Sequence, residues 1–326
     1  MILSIIIPIF NVEKYIGRCL DSVYQDNWDE SLFEVIAVND GTKDQSMSIV
    51  RKYQEKHNNL KIINQTNGGV SSARNHGIQV ATADYLIFLD GDDTLFLFDL
   101  NVLKSYVLRN HDLQVCIARS FMSNGYEAYK WKYQFSENQD YIGFNVFQQQ
   151  YFRGSCCGVI YNRKFLIKNF IYFPLNLKNA EDTIFLTHCL SVAYKVRFLD
   201  LDLYCVYVRN ESASRGVHYD VLLGNYMNTI NYINSLLSLN KVKRETKIMF
   251  SYCKYIVISN ALNLCVINNL SYSFFDSALN LKTQLPIEFP EKNIRGFKIK
   301  ILNISSRLFF SICFIKYRLT HFFNNK

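Results

Sequence analysis

Asp90, Asp92 and Asp93 place three carboxylates within four residues, and Gly91 permits a tight turn between them. Hard divalent cations take oxygen ligands, and Mg2+ is commonly held by one or two carboxylates completed by substrate phosphates. The same residues also read as an Asx-rich turn that caps the next helix. Gly68-Gly69 opens a second cluster, running into Val70-Ser71-Ser72-Ala73-Arg74-Asn75. Backbone N–H groups at a helix start suit a phosphate, and the Arg74 fork can grip a diphosphate bidentately. The spacing is neither that of a P-loop nor that of a dinucleotide G-x-G-x-x-G, and a glycine turn before an ordinary helix explains it equally. Asp40, between Asn39 and Gly41, can accept the imide N–H of a uracil, a charged hydrogen bond worth roughly 1.5–3 kcal/mol. Its alternative is a helix cap shared with Thr42 and Asp44. Glu181 and Asp182 head an apolar run, where they complement a helix dipole or supply a general base for a hydroxyl.

Such residues act only if a frame brings them together. Residues 3–9, 33–38, 60–63, 85–89 and 113–118 are short, nearly continuous apolar runs, the pattern of strands buried on both faces of a parallel sheet. Helices are expected between them. One covers about 11–24 with Asn11 as its cap, and one covers 42–56, opened by a Thr42-x-x-Gln45 capping box. Two more cover 69–80 and 99–110. Each chemical cluster directly follows a strand: Phe10-Asn11, Asn39-Asp40-Gly41, residues 65–69 and residues 90–93. In an open parallel sheet these turns share the carboxyl edge, where ligands bind, so four polar clusters are expected at one crevice. Residues 121–153 read as an aromatic, polar excursion beside it, 154–166 and 179–194 as compact structure, and 196–207 as a mixed strand. From about residue 222 the chain reads as helical to its end.

Composition agrees with a globular α/β protein. The 326 residues are 49% hydrophobic and 20% charged, with 13 Gly and 4 Pro, which excludes disordered and collagen-like chains. The length is that of about two domains. The net charge is +8, but residues 291–326 hold eight Lys and Arg against one Glu, leaving the rest close to neutral. That argues against a basic nucleic-acid-binding surface and for a tail that meets anionic lipid. Nine cysteines, with no C-x-x-C spacing, read as reduced thiols in a cytosol, and adjacent Cys156 and Cys157 as small packing residues. No signal peptide is visible. The uncharged stretch 255–275 is interrupted by Asn and Ser, and 308–315 is too short for a spanning helix. The six histidines show no ligand spacing for zinc. His218 follows residues 209–214 closely enough to reach a cation there.

The ordered set Ser4-Ile5-Ile6-Ile7-Pro8-Ile9-Phe10-Asn11, Asn39-Asp40-Gly41-Thr42-Lys43-Asp44, Asn67-Gly68-Gly69 with Ala73-Arg74-Asn75-x-Gly77, Asp90-Gly91-Asp92-Asp93 and Glu181-Asp182 closely resembles family 2 glycosyltransferases of the bacterial envelope and capsular polysaccharide type. The resemblance covers about 180 residues. It implies a GT-A fold (an α/β nucleotide-binding, mostly parallel sheet flanked by helices), a UDP-sugar donor, Mn2+ or Mg2+, and inversion at the anomeric carbon. Carried over by position, Pro8, Phe10 and Asn11 would line the nucleobase and Asp40 would hold the uracil. Gly68, Arg74, Asp90 and Glu181 would serve the donor, and Asp92 with Asp90 or Asp93 would bind the metal. Asp182 would be the catalytic base. Tyr207-x-Arg209 with Ser212-x-Ser214 resembles a further motif near the diphosphate, placing Arg209 at the donor. One departure is visible, since the family usually carries two acids where Asn39-Asp40 stands.

The resulting expectation is a catalytic domain over 1–221 and a helical region over 222–326 with a basic amphipathic tail. On one helix over 298–319, Ile301, Ile304, Leu308, Ile312, Ile315 and Leu319 share a narrow stripe flanked by Lys298, Lys300, Arg307, Lys316 and Arg318, the layout of an interfacial helix on anionic headgroups. That suits a cytoplasmic enzyme on the inner face of the cell membrane, with a lipid-linked saccharide as acceptor. Tyr126, Tyr129, Trp131 and Tyr133 could stack on sugar or simply pack. Two rivals differ in class. A sugar nucleotidyltransferase wants a Gly-rich basic loop after the first strand, where Pro8-Ile9-Phe10-Asn11 stands. A catalytically inactive nucleotide-binding scaffold would tolerate loss of Asp40, Arg74, Asp92 or Asp182, all of which are present.

Overall fold

The structure is a computed structural model. It describes residues 1–25, 28–96, 100–109, 112–123, 128–130, 139–148, 155–208, 218–239, 242–287 and 295–324. Strands and helices alternate first: β1 (Leu3–Ile9), α1 (Ile16–Val23), β2 (Phe33–Asn39), α2 (Ser46–Gln54), β3 (Leu60–Asn64), α3 (Val70–Val80) and β4 (Tyr85–Phe88). Then follow β5 (Thr94–Leu95), α4 (Leu100–Arg109), β6 (Val115–Ser123), β7 (Ala128–Lys130), α5 (Gly143–Gln148), β8 (Val159–Asn162), α6 (Arg163–Lys168), α7 (Glu181–Val192) and β9 (Val196–Tyr207). The last elements are helices: α8 (Tyr219–Leu237), α9 (Arg244–Ile267), α10 (Tyr272–Leu279), α11 (Leu281–Gln284), α12 (Arg295–Ile304) and α13 (Ser306–Asn324).

The strands form one sheet in the order β3-β2-β1-β4-β8-β6-β9-β5, with β7 beside β6. β1 runs parallel to both β2 and β4, and β2 is parallel to β3. This is the half that the apolar runs foretell. The distal half is mixed. β8 enters antiparallel between β4 and β6, and β9 is parallel to β6. Residues 113–118, read as the strand after β4, therefore begin a strand one place further out. β8 and β5 have four and two residues, too short to carry a period of their own.

Two starts differ from the expected ones. Asn11 takes φ +54 instead of capping a helix, and α1 begins at Ile16. The Thr42/Gln45 box does not form either. Asp44 caps α2 by accepting the Ser46 N–H at 3.0 Å, and Glu13 accepts the Gln45 N–H at 2.8 Å. The β1 and β2 loops are thereby tied to each other.

Packing then fixes the sheet edge. α3 lies so close to β1 that a Cβ on Gly77 would sit 2.3 Å from an Ile6 methyl. Glu34 is fully buried on β2 and accepts from Ser4 Oγ, the Thr82 N–H and hydroxyl, and Lys61 Nζ. Burial alone would raise its carboxyl, but these donors hold it at about 2. Phe88, Tyr161, Phe173 and Phe185 form a buried ring cluster, with Phe173 stacked on Phe185 at 3.9 Å. That cluster anchors α7 against β4. All nine cysteines are free thiols.

α9 is long and apolar enough to cross a membrane on length and composition alone, yet 67% of its apolar window is buried inside the protein. It is the central helix of the C-terminal bundle. The tail expected as one helix is two, broken at Ser305. Asn303 turns back to exchange two hydrogen bonds with the Ile287 backbone, at 2.8 and 2.9 Å. Ile299, Leu302, Phe309 and Phe310 are buried, whereas Ile304, Leu308, Ile312 and Ile315 are 83, 52, 44 and 58% exposed.

Candidate active site

The carboxyl ends of β1, β2 and β4 deliver their loops to one place. Pro8 is half-buried at the end of β1, Phe10 beyond it is exposed, and the Asn11 N–H donates to Thr42 Oγ1 at 2.8 Å. Asp40 follows β2 and is only 2% exposed. Its carboxylate accepts the Gly68 N–H at 2.8 Å, the Gly69 N–H at 2.9 Å and Gln65 Nε2 at 2.8 Å. The two glycine amides that the sequence reading turned toward a phosphate thus face Asp40. Gly69 sits at φ +84, which glycine adopts at no steric cost.

Gln65 and His76 complete this loop, and the motif spacing did not single them out. Gln65 Nε2 also donates to Ser72 Oγ at 3.1 Å, so its Oε1 faces His76 Nδ1 at 3.0 Å. With the amide in that orientation, His76 Nδ1–H is the donor and Gln65 Oε1 the acceptor. The signal available was the placement of Gln65 at the head of the loop and of His76 on the helix that follows. Both residues also line a cavity of about 490 Å3 with Ser72, Asn75, Gln79 and Tyr172.

Arg74, 4% exposed, is the hinge of the site. Nη2 pairs with Asp90 at 2.7 Å and Nη1 with Glu181 at 3.4 Å. The guanidinium lies 5.1 Å from the Phe173 ring centre, so the aromatic core under α7 also positions the cation. Arg74 Nε is buried without a partner among the described residues.

The Asp90–Asp93 turn separates three carboxylates by role. Asp93 is committed to the fold, since Tyr204 Oη donates to it at 2.7 Å and the Tyr207 N–H at 2.8 Å. Burial, with Asp90 and Asp92 beside it, pushes its carboxyl up to about 7. Asp90 shares one oxygen with Arg74 and receives the Cys157 thiol on the other at 3.6 Å. Asp92 is half-buried at the turn, and its backbone carbonyl accepts from Arg18, whose guanidinium stacks on Tyr207 at 3.8 Å. Both oxygens of Asp93 and both oxygens of Asp90 thus already accept from neighbouring groups of the protein. No group of three His, Cys, Asp or Glu able to hold a metal ion occurs among the described residues. Two carboxylates still fit Mg2+ or Mn2+ when substrate phosphates complete the shell.

Ala180 takes a left-handed turn and starts α7. Glu181 and Asp182 are half-buried at its first turn. Asp182 accepts the Thr183 N–H at 2.7 Å. Burial, then Glu181, push its carboxyl up to about 7 against the opposing pull of Arg74, the range that suits a general base at neutral pH. Residues 209–217, with Arg209, Ser212 and Ser214, lie outside the described residues, as do Tyr126, Trp131 and Tyr133. His218 is exposed, pairs with Asp220 at 3.1 Å and leans on Tyr219.

Comparison with known proteins agrees with this geometry. Residues 4–170, just over half the chain, match the model of glycosyl transferase family 2. "Uncharacterized glycosyltransferase EpsJ" of Bacillus subtilis is 30% identical over 228 residues, 67% of this chain and 64% of that one. A poly(ribitol-phosphate) beta-glucosyltransferase of Bacillus spizizenii is 28% identical over 258 residues, 76% of this chain and 38% of that one. The match spans less than two thirds of either relative. Among solved structures, S. aureus TarS 1–349 in complex with UDP-GlcNAc superposes with a TM-score of 0.66 at 21% identity, covering 98% of this chain and 92% of that one. That likeness shows the GT-A fold.

Proposed function

The chain belongs to glycosyl transferase family 2, and from that premise we propose that it moves a sugar from a UDP-sugar to a hydroxyl of a lipid-linked saccharide, with inversion, in bacterial envelope polysaccharide synthesis. The observation that carries this reading is Arg74 bridging Asp90 and Glu181. One guanidinium draws the β4 turn and the start of α7, separated by some 90 residues of chain, into a single site. A donor's diphosphate and a base for the acceptor then have adjoining places.

In this reading residues 1–221 are the catalytic domain. Pro8, Phe10 and Asn11 line the nucleobase and Asp40 holds the uracil edge while organising Gly68. Arg74 would meet the diphosphate, held in place by Asp90 and Glu181, and Arg209 is assigned there by its motif alone. Asp92 with Asp90 or Asp93 would hold Mn2+ or Mg2+, which when bound neutralises charge on the leaving diphosphate. The acceptor oxygen attacks the anomeric carbon as the bond to the diphosphate oxygen breaks, and its proton passes to Asp182. UDP departs and an α-linked donor yields a β-linkage. The related proteins named for poly(ribitol-phosphate) transfer support a polyol- or saccharide-type acceptor.

The tail supports a position at the inner face of the cell membrane. Ile304, Leu308, Ile312 and Ile315 present apolar surface to solvent, with Lys298, Lys300, Arg307 and Arg318 on the same two helices, the composition of an interfacial surface on anionic lipid. The test of the reaction is UDP release from a panel of UDP-sugars, with and without Mn2+ or Mg2+, in the presence of a lipid-linked acceptor extract. Metal-stimulated release from one donor is the expected result. Tight UDP binding with no release from any donor would favour a nucleotide-binding scaffold.

A further inference from the structure

The helical region contains a charged space unrelated to the cleft. Leu237, Lys247, Ser251, Lys254, Pro286 and Ile287 line a partly open cavity of about 220 Å3. Lys247, Ser251 and Lys254 are spaced i, i+4 and i+7 on α9, one face of the helix. Lys254 is only 7% exposed. A buried ammonium costs several kcal/mol unless a countercharge and hydrogen bonds complete it.

What Lys254 meets is a neutral oxygen. Its Nζ donates to Asn234 Oδ1 at 3.0 Å. Asn234 is locked in that orientation because its Nδ2 donates to Gln284 Oε1 at 2.9 Å, and Gln284 Nε2 donates on to Thr283 Oγ1 at 3.0 Å. The chain of amides thus uses two hydrogen bonds to present one acceptor to an ammonium that carries three protons. Among the described residues no carboxylate pairs with Lys254 or Lys247. Burial pushes the Lys254 ammonium down to about 8, with no anion opposing it.

We propose that the Lys247–Ser251–Lys254 cavity binds a phosphate-type anion. The cavity is large enough for a tetrahedral oxyanion, two ammonium groups supply charge, and the Ser251 hydroxyl supplies a donor. The site is also mechanically linked to the tail, because Ile287 in its wall is clamped to Asn303 on α12 by the two hydrogen bonds described above. An anion in the cavity would therefore brace the helix that begins the tail. The phosphate of a lipid headgroup and free phosphate share this chemistry. The inference does not depend on the transferase reading of the cleft.

The test uses the full chain and potassium phosphate against potassium chloride at matched ionic strength, read by thermal unfolding and by calorimetric titration. Phosphate is expected to raise the melting temperature saturably. Lys254→Met should weaken phosphate binding at least tenfold, and Lys247→Ala, at a half-buried position, should weaken it less. A single cooperative thermal transition in potassium chloride, retained in both variants, shows that they fold. No stabilisation by phosphate, or stabilisation equal in wild type and Lys254→Met, would overturn the proposal. Vesicles of phosphatidylglycerol and of phosphatidylcholine separate the two sources. Weakened binding of Lys254→Met to the anionic vesicles identifies a headgroup, and unchanged vesicle binding with lost phosphate binding identifies free phosphate.

Discussion

The cleft and the C-terminal bundle bury charge in opposite ways. In the cleft, Asp90, Glu181 and Asp182 gather about one buried guanidinium with Asp92 and Asp93 beside Asp90, and two of the five carboxyls are pushed up to about 7. In the bundle, Lys254 is buried against an amide oxygen and is pushed down to about 8. A third buried charge, Glu34, shows what a purely structural solution looks like. It has five donors' worth of contacts from Ser4, Thr82, Ala83 and Lys61 and is held at about 2. Where the fold only needs a charge, it satisfies it completely. Where it leaves an excess of one sign, the space is suited to a ligand of the other sign.

Removing a positive charge should therefore hurt one region and help the other. Arg74→Met leaves the half-buried Asp90 and Glu181 without their partner, a loss of about 1–3 kcal/mol that a drop in urea midpoint would show, along with loss of UDP binding. Lys254→Met, measured in the same way without phosphate, should be neutral or raise stability at pH 7 by about 1–3 kcal/mol. Equal destabilisation by both substitutions would erase the contrast.

Titration sharpens it. For Asp182 the folded group is raised, so the native state holds its proton more tightly than the unfolded chain between about pH 4 and pH 7. Its contribution to stability falls as pH rises through that window. The base form appears only above about 7, so kcat/KM should climb close to tenfold per pH unit below that value and flatten beyond it. Lys254 has the opposite sense. Its folded value lies below the unfolded 10.5, so stability should rise as pH climbs from about 8 toward 10.5, and Lys254→Met should remove that slope. The smallest effect is expected at the tail. Leu308→Ser with Ile312→Ser should weaken binding to phosphatidylglycerol vesicles about tenfold, since each exposed apolar side chain contributes roughly 1 kcal/mol or less on partial burial, while leaving UDP affinity unchanged.

The parallel half of the sheet was legible because β1, β2 and β4 are apolar runs ended abruptly by polar clusters, and the period and the chemistry change at the same residues. Arg74, Asp90 and Glu181 were legible as candidates, but their mutual pairing was not, since it joins residues 16 and 107 apart. The structural role of Asp93 depends on Tyr204 and Tyr207 from a strand more than 110 residues later, which no local pattern reveals. Gln65 and His76 were passed over because an amide and a lone histidine carry no motif. The break at Ser305 escaped a helical projection that weighed apolar spacing alone, although Ser305 marks it locally by accepting the Leu308 N–H at the start of α13. Lys254 left a visible mark, a charge directly before the uncharged stretch 255–275, yet its burial comes from the bundle packed around α9.

The most direct test compares UDP affinity and turnover in one variant, Asp182→Asn, with the wild type under the same conditions. The account predicts UDP affinity within about twofold and a turnover with the active donor reduced about 10²–10⁴-fold. Undiminished turnover would contradict Asp182 as the base, and loss of UDP affinity in parallel with turnover would reduce it to a residue that shapes the donor site.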